Sequence, residues 1–457
     1  MVLFSSMEFI FRFLPVFMIV YWITPARYKN AVLFGGSIVF YASGEGLLVL
    51  VLLASTVVNF LIGAVNWDTP GRRRSKALKA QRHQYAMAAV GLDAAVLVVF
   101  KIIAAAVNSS LLPLGISFYI FKMISFQLDI YWDRLEEQPS FLDTAAYFTM
   151  FPQITQGPIM RFKEGRFYKE GRRVALRQVE SGLVYFVMGL GMKVLLADRI
   201  GLLWNDITRV GYDSISTPLA WMGAFAYSFQ LYFDFWGYSL MAGGIGMMLG
   251  FRFIENFDHP YAANGIADFY RRWHRTLGAW FRDYIYIPLG GSREGALSTV
   301  CNLMIVWLLT GFWHGSSWNF ILWGLVLGVL IIFEKFVLRW FLDHIPFLGT
   351  LIVWIVIPLT WVIFAITDLS SLGLYFSRLF PFFGQEAVVY TGDFVDYLKT
   401  YWPLFGASVL LCIPATFNMI VNFRKSRFAI VVLTVVFWIS VYYINNSAAN
   451  TFMYFKF

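Results

Sequence analysis

Two histidines stand where an ionisable side chain is costly. His314 closes the apolar run Cys301–Trp313, in Thr310-Gly311-Phe312-Trp313-His314-Gly315, and His274 ends the tetrad Arg271-Arg272-Trp273-His274. An imidazole kept at membrane depth is a functional candidate, because burial in hydrocarbon is paid for in free energy. Gly315 is a helix-stop signal, and Ser316 or Ser317 is placed to cap a second helix starting near Trp318. His314 is therefore expected at a turn between two buried helices. A helix C-terminus favours imidazolium and burial favours neutral imidazole, and the sequence leaves both open. A neutral imidazole there is a competent general base; the bland alternative is a hydrogen-bonded histidine in a tight turn. His274 lies between arginines, where a histidine at an interface is unremarkable. Arg271, Arg272, Arg275 and Arg282 read either as lipid-headgroup contacts or as a phosphate site for a nucleotide-bearing donor.

A second set of polar residues lies inside apolar runs. Gln230, Asp234 and Tyr238 are spaced by four and share one helical face if the helix continues through Gly237. Lys122, Gln127 and Asp129 fall within Leu111–Trp132. Such faces look into protein, toward a cavity or toward one another as an interhelical hydrogen-bond cluster, and the cluster is the favoured reading. His83, His259 and His344 are expected in loops without a role. Other chemistries find no support: no CxxC or HExxH spacing, no Walker A loop and no Gly-x-Ser-x-Gly elbow occur, and no metal site is expected.

The elements that must position these groups are membrane helices. Hydrophobic residues form 59% and charged residues 14% of 457, which excludes a disordered chain and an ordinary soluble domain. Candidate spans run over 8–25, 31–44, 46–66, 85–107, 109–131, 179–197, 217–250, 300–316, 319–340, 351–366, 405–421 and 429–446. The 217–250 segment is long and carries Gly237, Gly243, Gly244 and Gly246, so it reads as one broken helix or two short ones. Residues 141–160 are apolar but punctuated by Pro152 and Pro158, which suits a re-entrant or surface-lying element. In Asp258–Arg293 the apolar stripe Phe269, Trp273, Leu277, Trp280, Phe281 and Tyr284 predicts an amphipathic interfacial helix. The net charge of +9 does not indicate nucleic-acid binding. Basic clusters (Arg72–Arg82, Arg161–Arg177 with Arg166, Lys169 and Arg173, and Arg424, Lys425, Arg427) mark cytoplasmic loops. The loop 367–403, with Asp368, Glu386, Asp393 and Asp396, is expected outside. Its run Leu374, Tyr375, Phe376, Phe380, Phe382 and Phe383 looks exposed. The two cysteines, Cys301 and Cys412, read as buried thiols. The fold class is an all-α polytopic membrane protein with about 11–12 transmembrane helices plus re-entrant and interfacial helices, forming one domain over 1–457.

These motifs, taken together, resemble the membrane-bound O-acyltransferases of the bacterial alginate O-acetylation branch. The resemblance rests on Phe4-Ser5-Ser6, Phe13-Leu14-Pro15, Leu112-Pro113-Leu114-Gly115-Ile116-Ser117-Phe118 and Gly157-Pro158-Ile159-Met160-Arg161. It continues through Gln230-Leu231-Tyr232-Phe233-Asp234-Phe235, Asn256-Phe257, Arg271-Arg272-Trp273-His274, Asp283-Tyr284-Ile285-Tyr286-Ile287-Pro288-Leu289-Gly290-Gly291 and Trp313-His314-Gly315. It implies a ring of helices around a funnel, with core motifs in 112–324 and further helices over 351–446. It also implies that His314 matches the catalytic histidine and His274 the second motif histidine. Gln230, Asp234, Tyr238, Asn302 and Trp313 become channel-lining candidates, and Arg271, Arg272, Arg275 and Arg282 donor-binding candidates. The chain departs from the family after Asp234: Phe-Ser-Gly-Tyr-Ser-Asp is replaced by Phe235-Trp236-Gly237-Tyr238-Ser239-Leu240. That puts the acceptor or partner in question more than the reaction.

The resemblance implies transfer of an acyl group from a cytosolic thioester to a hydroxyl beyond the membrane. Acetyl-CoA is the expected donor substrate, and no bound cofactor is expected. The implied partners are membrane lipid, a polysaccharide acceptor and an extracytoplasmic acyl-accepting or SGNH/esterase-like protein; the implied location is the bacterial inner membrane. D-alanyl transfer to teichoic acid is the alternative within the family. A flippase for lipid-linked sugars is the alternative from another class, suited by broken helices and a polar midplane, but it leaves the two motif histidines unexplained.

Overall fold

The structure is a computed structural model that describes residues 3–165, 167, 172, 174–315, 317–383, 390, 392–424 and 426–446. Arg166, Lys169, Arg173, Ser316, Glu386 and Lys425 lie outside the described residues, as does the side chain of Phe383. Every regular element among the described residues is helical. Eight stretches are long and apolar enough to cross a membrane, and a ninth is added if one bent pair forms a single span. The protein is a multi-pass all-α membrane protein. The expected segments 31–44 and 46–66 fall in one helical stretch, Ala26–Asn66, divided at Gly46. The first apolar helix, Phe9–Ile23, is shorter than a full span.

The chain forms two compact units, Met1–Phe186 with Tyr238–Glu255, and Val187–Gly237 with Asn256–Phe457. In the first, the polar residues of the apolar runs make the interhelical cluster anticipated from sequence. Asn59 on Val49–Asn66 donates to Asp93 on Lys76–Ala106 at 2.7 Å, and Gln127 on Ile116–Tyr131 donates to the Asn59 side-chain oxygen at 2.9 Å. Buried amides and carboxyls at membrane depth find partners in one another because no water is there to serve. Lys122 donates to the Tyr147 carbonyl at 2.7 Å. His83 lies within the helix Lys76–Ala106, not in a loop.

Residues 144–160 are all buried, with only Phe141 and Leu142 exposed at the start of the segment, which rules out the surface-lying reading. The helix Phe141–Thr149 breaks at Met150, and a second turn, Phe151–Ile154, precedes irregular backbone. Such backbone is tolerated at this depth only when protein surrounds it. Protein groups satisfy it here: Ser37 Oγ accepts from Phe151 N at 3.0 Å, and Tyr147 donates to the Met160 carbonyl at 2.9 Å. Gly115, at φ +65°, abuts Ile154 so closely that a Cβ would overlap its carbonyl.

In the second unit the bent pair Asp393–Cys412 and Pro414–Phe423 turns by 87°, which replaces the straight span expected over 405–421. Pro414 lacks an N–H for the helix ladder and pushes Ile413 out of the helical region. Cys412 is buried as expected, but Cys301 is exposed on its helix. The run near 374–383 is only partly exposed. Tyr375 is wholly buried and donates to the Ala220 carbonyl at 2.7 Å, whereas Phe382 stands out at 87% exposure.

The 217–250 segment is a single helix, Thr217–Met248, unbroken at its glycines. Those glycines are places of close approach. A Cβ on Gly237 would press on the Gly189 carbonyl oxygen in the second unit, and one on Gly244 would overlap the Gly182 carbonyl in the first. Small residues permit such backbone contact between membrane helices, which is why the glycines did not act as breaks.

Candidate active site

His314 is the last residue of the helix Ala296–His314, and the next helix, Trp318–Phe333, begins three residues after Gly315. The turn is built from small residues. A Cβ on Gly311 would overlap the Phe320 carbonyl oxygen, and one on Gly324 would press on the Trp307 carbonyl. Gly315 is extended rather than left-handed (φ 179°). It is required for room, since the Phe320 ring occupies the place of any side chain. Ser317 holds the N-cap position, but its hydroxyl lies 2.6 Å from Asn319 Oδ1 instead of serving the helix backbone. Asn319, fully buried, donates to the carbonyls of Phe364 (2.9 Å) and Ile363 (3.3 Å) at the end of the helix Pro346–Ala365. That ties Phe364 to the turn. The His314 ring then sits edge-on to Phe364 (5.0 Å), Trp323 (5.1 Å) and Trp313 (4.6 Å). An imidazole so enclosed is fixed in orientation and shielded from water.

Gly311→Ala is expected to force the two helices apart, because the obstacle is backbone and not a flexible side chain. Overpacking of this kind costs about 1–3 kcal/mol. The detergent-solubilised variant should lose several degrees of apparent Tm, read by size exclusion after heating. An unchanged Tm would contradict the close packing.

His274 occupies a break, and the single amphipathic helix expected over Asp258–Arg293 is not formed. The helix Ile266–Arg272 ends, His274 takes the left-handed conformation (φ +44°), and a second helix, Arg275–Phe281, begins. The apolar stripe is instead buried within the protein, Phe269 completely so. The break exists because residues 256–258 pair with it: Asn256 O accepts from Arg275 N at 2.8 Å and Asp258 N donates to Arg272 O at 3.0 Å. The start of the first helix is anchored by the buried carboxylate of Glu334, which accepts from the backbone of Ile266 (2.5 Å) and Ala267 (3.1 Å). A left-handed residue without a glycine's freedom is a strained one, and such strain collects at functional sites. His259, also left-handed, is buried against Trp236 (5.6 Å) and Phe417 (5.1 Å).

The two histidine-bearing segments are joined by rings. Trp273, next to His274, lies 5.0 Å from Trp361; Trp361 stacks on Trp323 at 5.6 Å; and Trp323 contacts His314. The sequence separated these residues by up to ninety positions, and the fold brings them into one aromatic wall.

Burial pushes the His274 imidazole down to about 3, so it is neutral near pH 7. An unfolded chain has the ordinary value of about 6.5. The depressed folded value stabilises the protein above that point, and the contribution is lost as pH falls from about 6.5 toward 3. Lowering the pH from 7 to 5 should cost about 2 kcal/mol through this group. His274→Gln should therefore show a smaller fall in apparent Tm over that interval than the parent; equal falls would contradict a neutral buried imidazole.

The other sequence candidates are dispersed over distinct surroundings. Asp234 is buried 3.8 Å from Lys193, and Lys193 donates to Asp198 at 2.5 Å. Lys193 is completely buried in a π-helical segment, Met192–Ala197, a local widening of the helix that is frequent at functional positions. Gln230 packs against Gly201, where a Cβ would overlap its amide. Tyr238 bonds Thr155 and stacks on Phe4 at 4.7 Å in the first unit. Asn302 donates to the carbonyls of Gly291 (2.9 Å) and Leu289 (3.1 Å), tying down the Pro288–Gly291 turn. The arginines all have acidic neighbours. Arg272 bonds Asp268 at 2.9 Å, Arg271 bonds Asp268 at 3.3 Å, Arg275 lies 3.6 Å from Asp258, and Arg282 bonds Asp283 at 2.7 Å. Arg271 and Arg282 are largely exposed. Trp236, one of the departures from the family motif, fills space between Tyr232 (5.1 Å) and Phe417 (4.6 Å). The supporting roles of Asn319 and Lys193 were missed from sequence. The available signal was a lone amide and a lone ammonium inside apolar runs.

Residues 38–377 match the model of MBOAT, the membrane-bound O-acyltransferase family. A probable alginate O-acetylase of Azotobacter vinelandii is 36% identical over 394 residues, covering 83% of this chain and 78% of its own. A peptidoglycan O-acetyltransferase of Helicobacter pylori is 32% identical over 421 residues, covering 81% and 78%. A teichoic acid D-alanyltransferase of Bacillus subtilis is 28% identical over 241 residues, covering 50% and 60%. Two histidines held at a helix end and a helix break, in a multi-pass helical chain with these relatives, establish that the chain belongs to the membrane-bound O-acyltransferase family.

Proposed function

We propose that this acyltransferase moves an acetyl group from acetyl-CoA, reaching it from the cytosol, to a hydroxyl of a cell-surface polysaccharide or of an extracytoplasmic partner protein. The observation that carries this reading is His314, buried and ring-enclosed at the end of a helix hairpin whose packing admits no side chain at Gly311 or Gly315. His314 takes the proton as the acceptor oxygen attacks the thioester carbonyl. The tetrahedral adduct collapses with cleavage of the C–S bond, and the leaving thiolate receives the proton from the imidazolium. His274 and Arg272 orient the donor. The arginine's guanidinium already holds Asp268, so it acts on the donor as one end of an ion-paired arrangement.

Acetyl is favoured over D-alanyl because similarity to O-acetylases extends over 83% of the chain, against 50% for the D-alanyltransferase. The bacterial inner membrane follows from a cytosolic donor and a surface acceptor. An extracytoplasmic partner follows from acceptor size: an extended polymer needs a binding surface beyond the helices described. Ester-linked acetate on surface polymers should fall to background in cells lacking this protein and return on complementation. Unchanged acetate would contradict the assignment.

A further inference from the structure

Asn256 stands at the break that carries His274, and its side chain is buried. Its Oδ1 accepts from the Thr276 hydroxyl at 2.8 Å and faces the Thr276 backbone N–H at 3.4 Å, at the start of the helix Arg275–Phe281. The backbone N–H can only donate, so the end of the amide facing Thr276 is the oxygen; the reversed amide would set N–H against N–H. Nδ2 has no hydrogen-bond partner among the described residues, which agrees with the oxygen being the engaged end. His274 Nδ1 lies 3.0 Å from that same oxygen. An acceptor at that distance requires a hydrogen on Nδ1. In a neutral imidazole the other nitrogen then carries the lone pair.

We propose that Asn256 is a positioning residue that fixes His274 in the Nδ1–H tautomer, making Nε2 its accepting nitrogen. The left-handed backbone at His274 and the edge-on Phe235 ring at 4.8 Å hold the imidazole plane while the amide selects the proton position. Nε2 can then accept a hydrogen bond from an N–H or O–H of a bound donor, which the opposite tautomer would oppose with its own N–H. This deepens the acyl-transfer reading, and only its kinetic consequence rests on that reading.

The test is nitrogen NMR on the full-length protein in bilayers with 15N-labelled histidine, the His274→Gln spectrum assigning the His274 signals. At pH 7.5 Nδ1 should be protonated and Nε2 bare. Asn256→Leu should populate the other tautomer and lower kcat about a hundredfold, a wrong tautomer being severely damaging where the imidazole faces substrate. Asn256→Asp keeps an oxygen acceptor, so it should retain Nδ1–H and exceed Asn256→Leu in kcat by about tenfold. A protonated Nε2 with bare Nδ1 in the parent protein, or an Asn256→Leu variant with the parent's tautomer, would overturn the inference. If Asn256→Leu does not fold, the parent and Asn256→Asp spectra decide. A parent spectrum as expected beside a fully active His274→Gln would support the tautomer and overturn only the catalytic reading of His274.

Discussion

His314→Ala is expected to abolish acyl transfer while the protein still inserts and elutes as the parent does. Loss of a general base typically costs about 100-fold or more, and the His314 ring is held in a wall formed by Trp313, Trp323 and Phe364. The substitution removes a ring and leaves the helix end, the Gly311 contact and the Asn319 tether intact, so folding should survive. Turnover with purified protein and acetyl-CoA above about a tenth of the parent would be incompatible with a base at this position.

His274→Ala is expected to reduce kcat/KM by about 10–100-fold, as loss of a positioned polar group at a reacting centre does. The protein should remain folded, because an apolar side chain in that place costs the Asn256 oxygen one of its three neighbours and leaves Thr276 on it. Arg272→Ala should raise the donor KM with a smaller change in kcat. Equal affinity of the parent and both variants for labelled acetyl-CoA would remove the donor-site role from this segment.

What the sequence disclosed and what it withheld divide along a physical line. Periodicity and apolar length disclosed the membrane helices, and the cost of buried charge singled out His314. The stripe Phe269–Tyr284 predicts one interfacial amphipathic helix, whereas its residues are buried within the protein and the helix is broken at His274. The break at His274 is made by residues 256–258, which pair with positions 14 and 19 residues further on, an interaction that no local pattern encodes. The glycines at 237 and 244 carried the opposite error. Low helix propensity predicts interruptions there, whereas partners at Gly189 and Gly182 make them contact points. The 87° turn at Pro414 shows the reverse weighting, a local breaker underestimated inside an apolar run. The exposed arginines 271 and 282 were singled out by charge alone, and charge did not reveal the carboxylates that accompany them.

The most direct measurement follows both halves of the donor in proteoliposomes containing purified protein, the proposed extracytoplasmic partner and polymer. Acetyl-labelled acetyl-CoA is supplied on the cytosolic side. Free CoA should appear in step with label ester-linked on the other side, and both should be lost together in His314→Ala. Free CoA appearing at the parent rate in His314→Ala, or transport of a lipid-linked sugar without thioester cleavage, would contradict it.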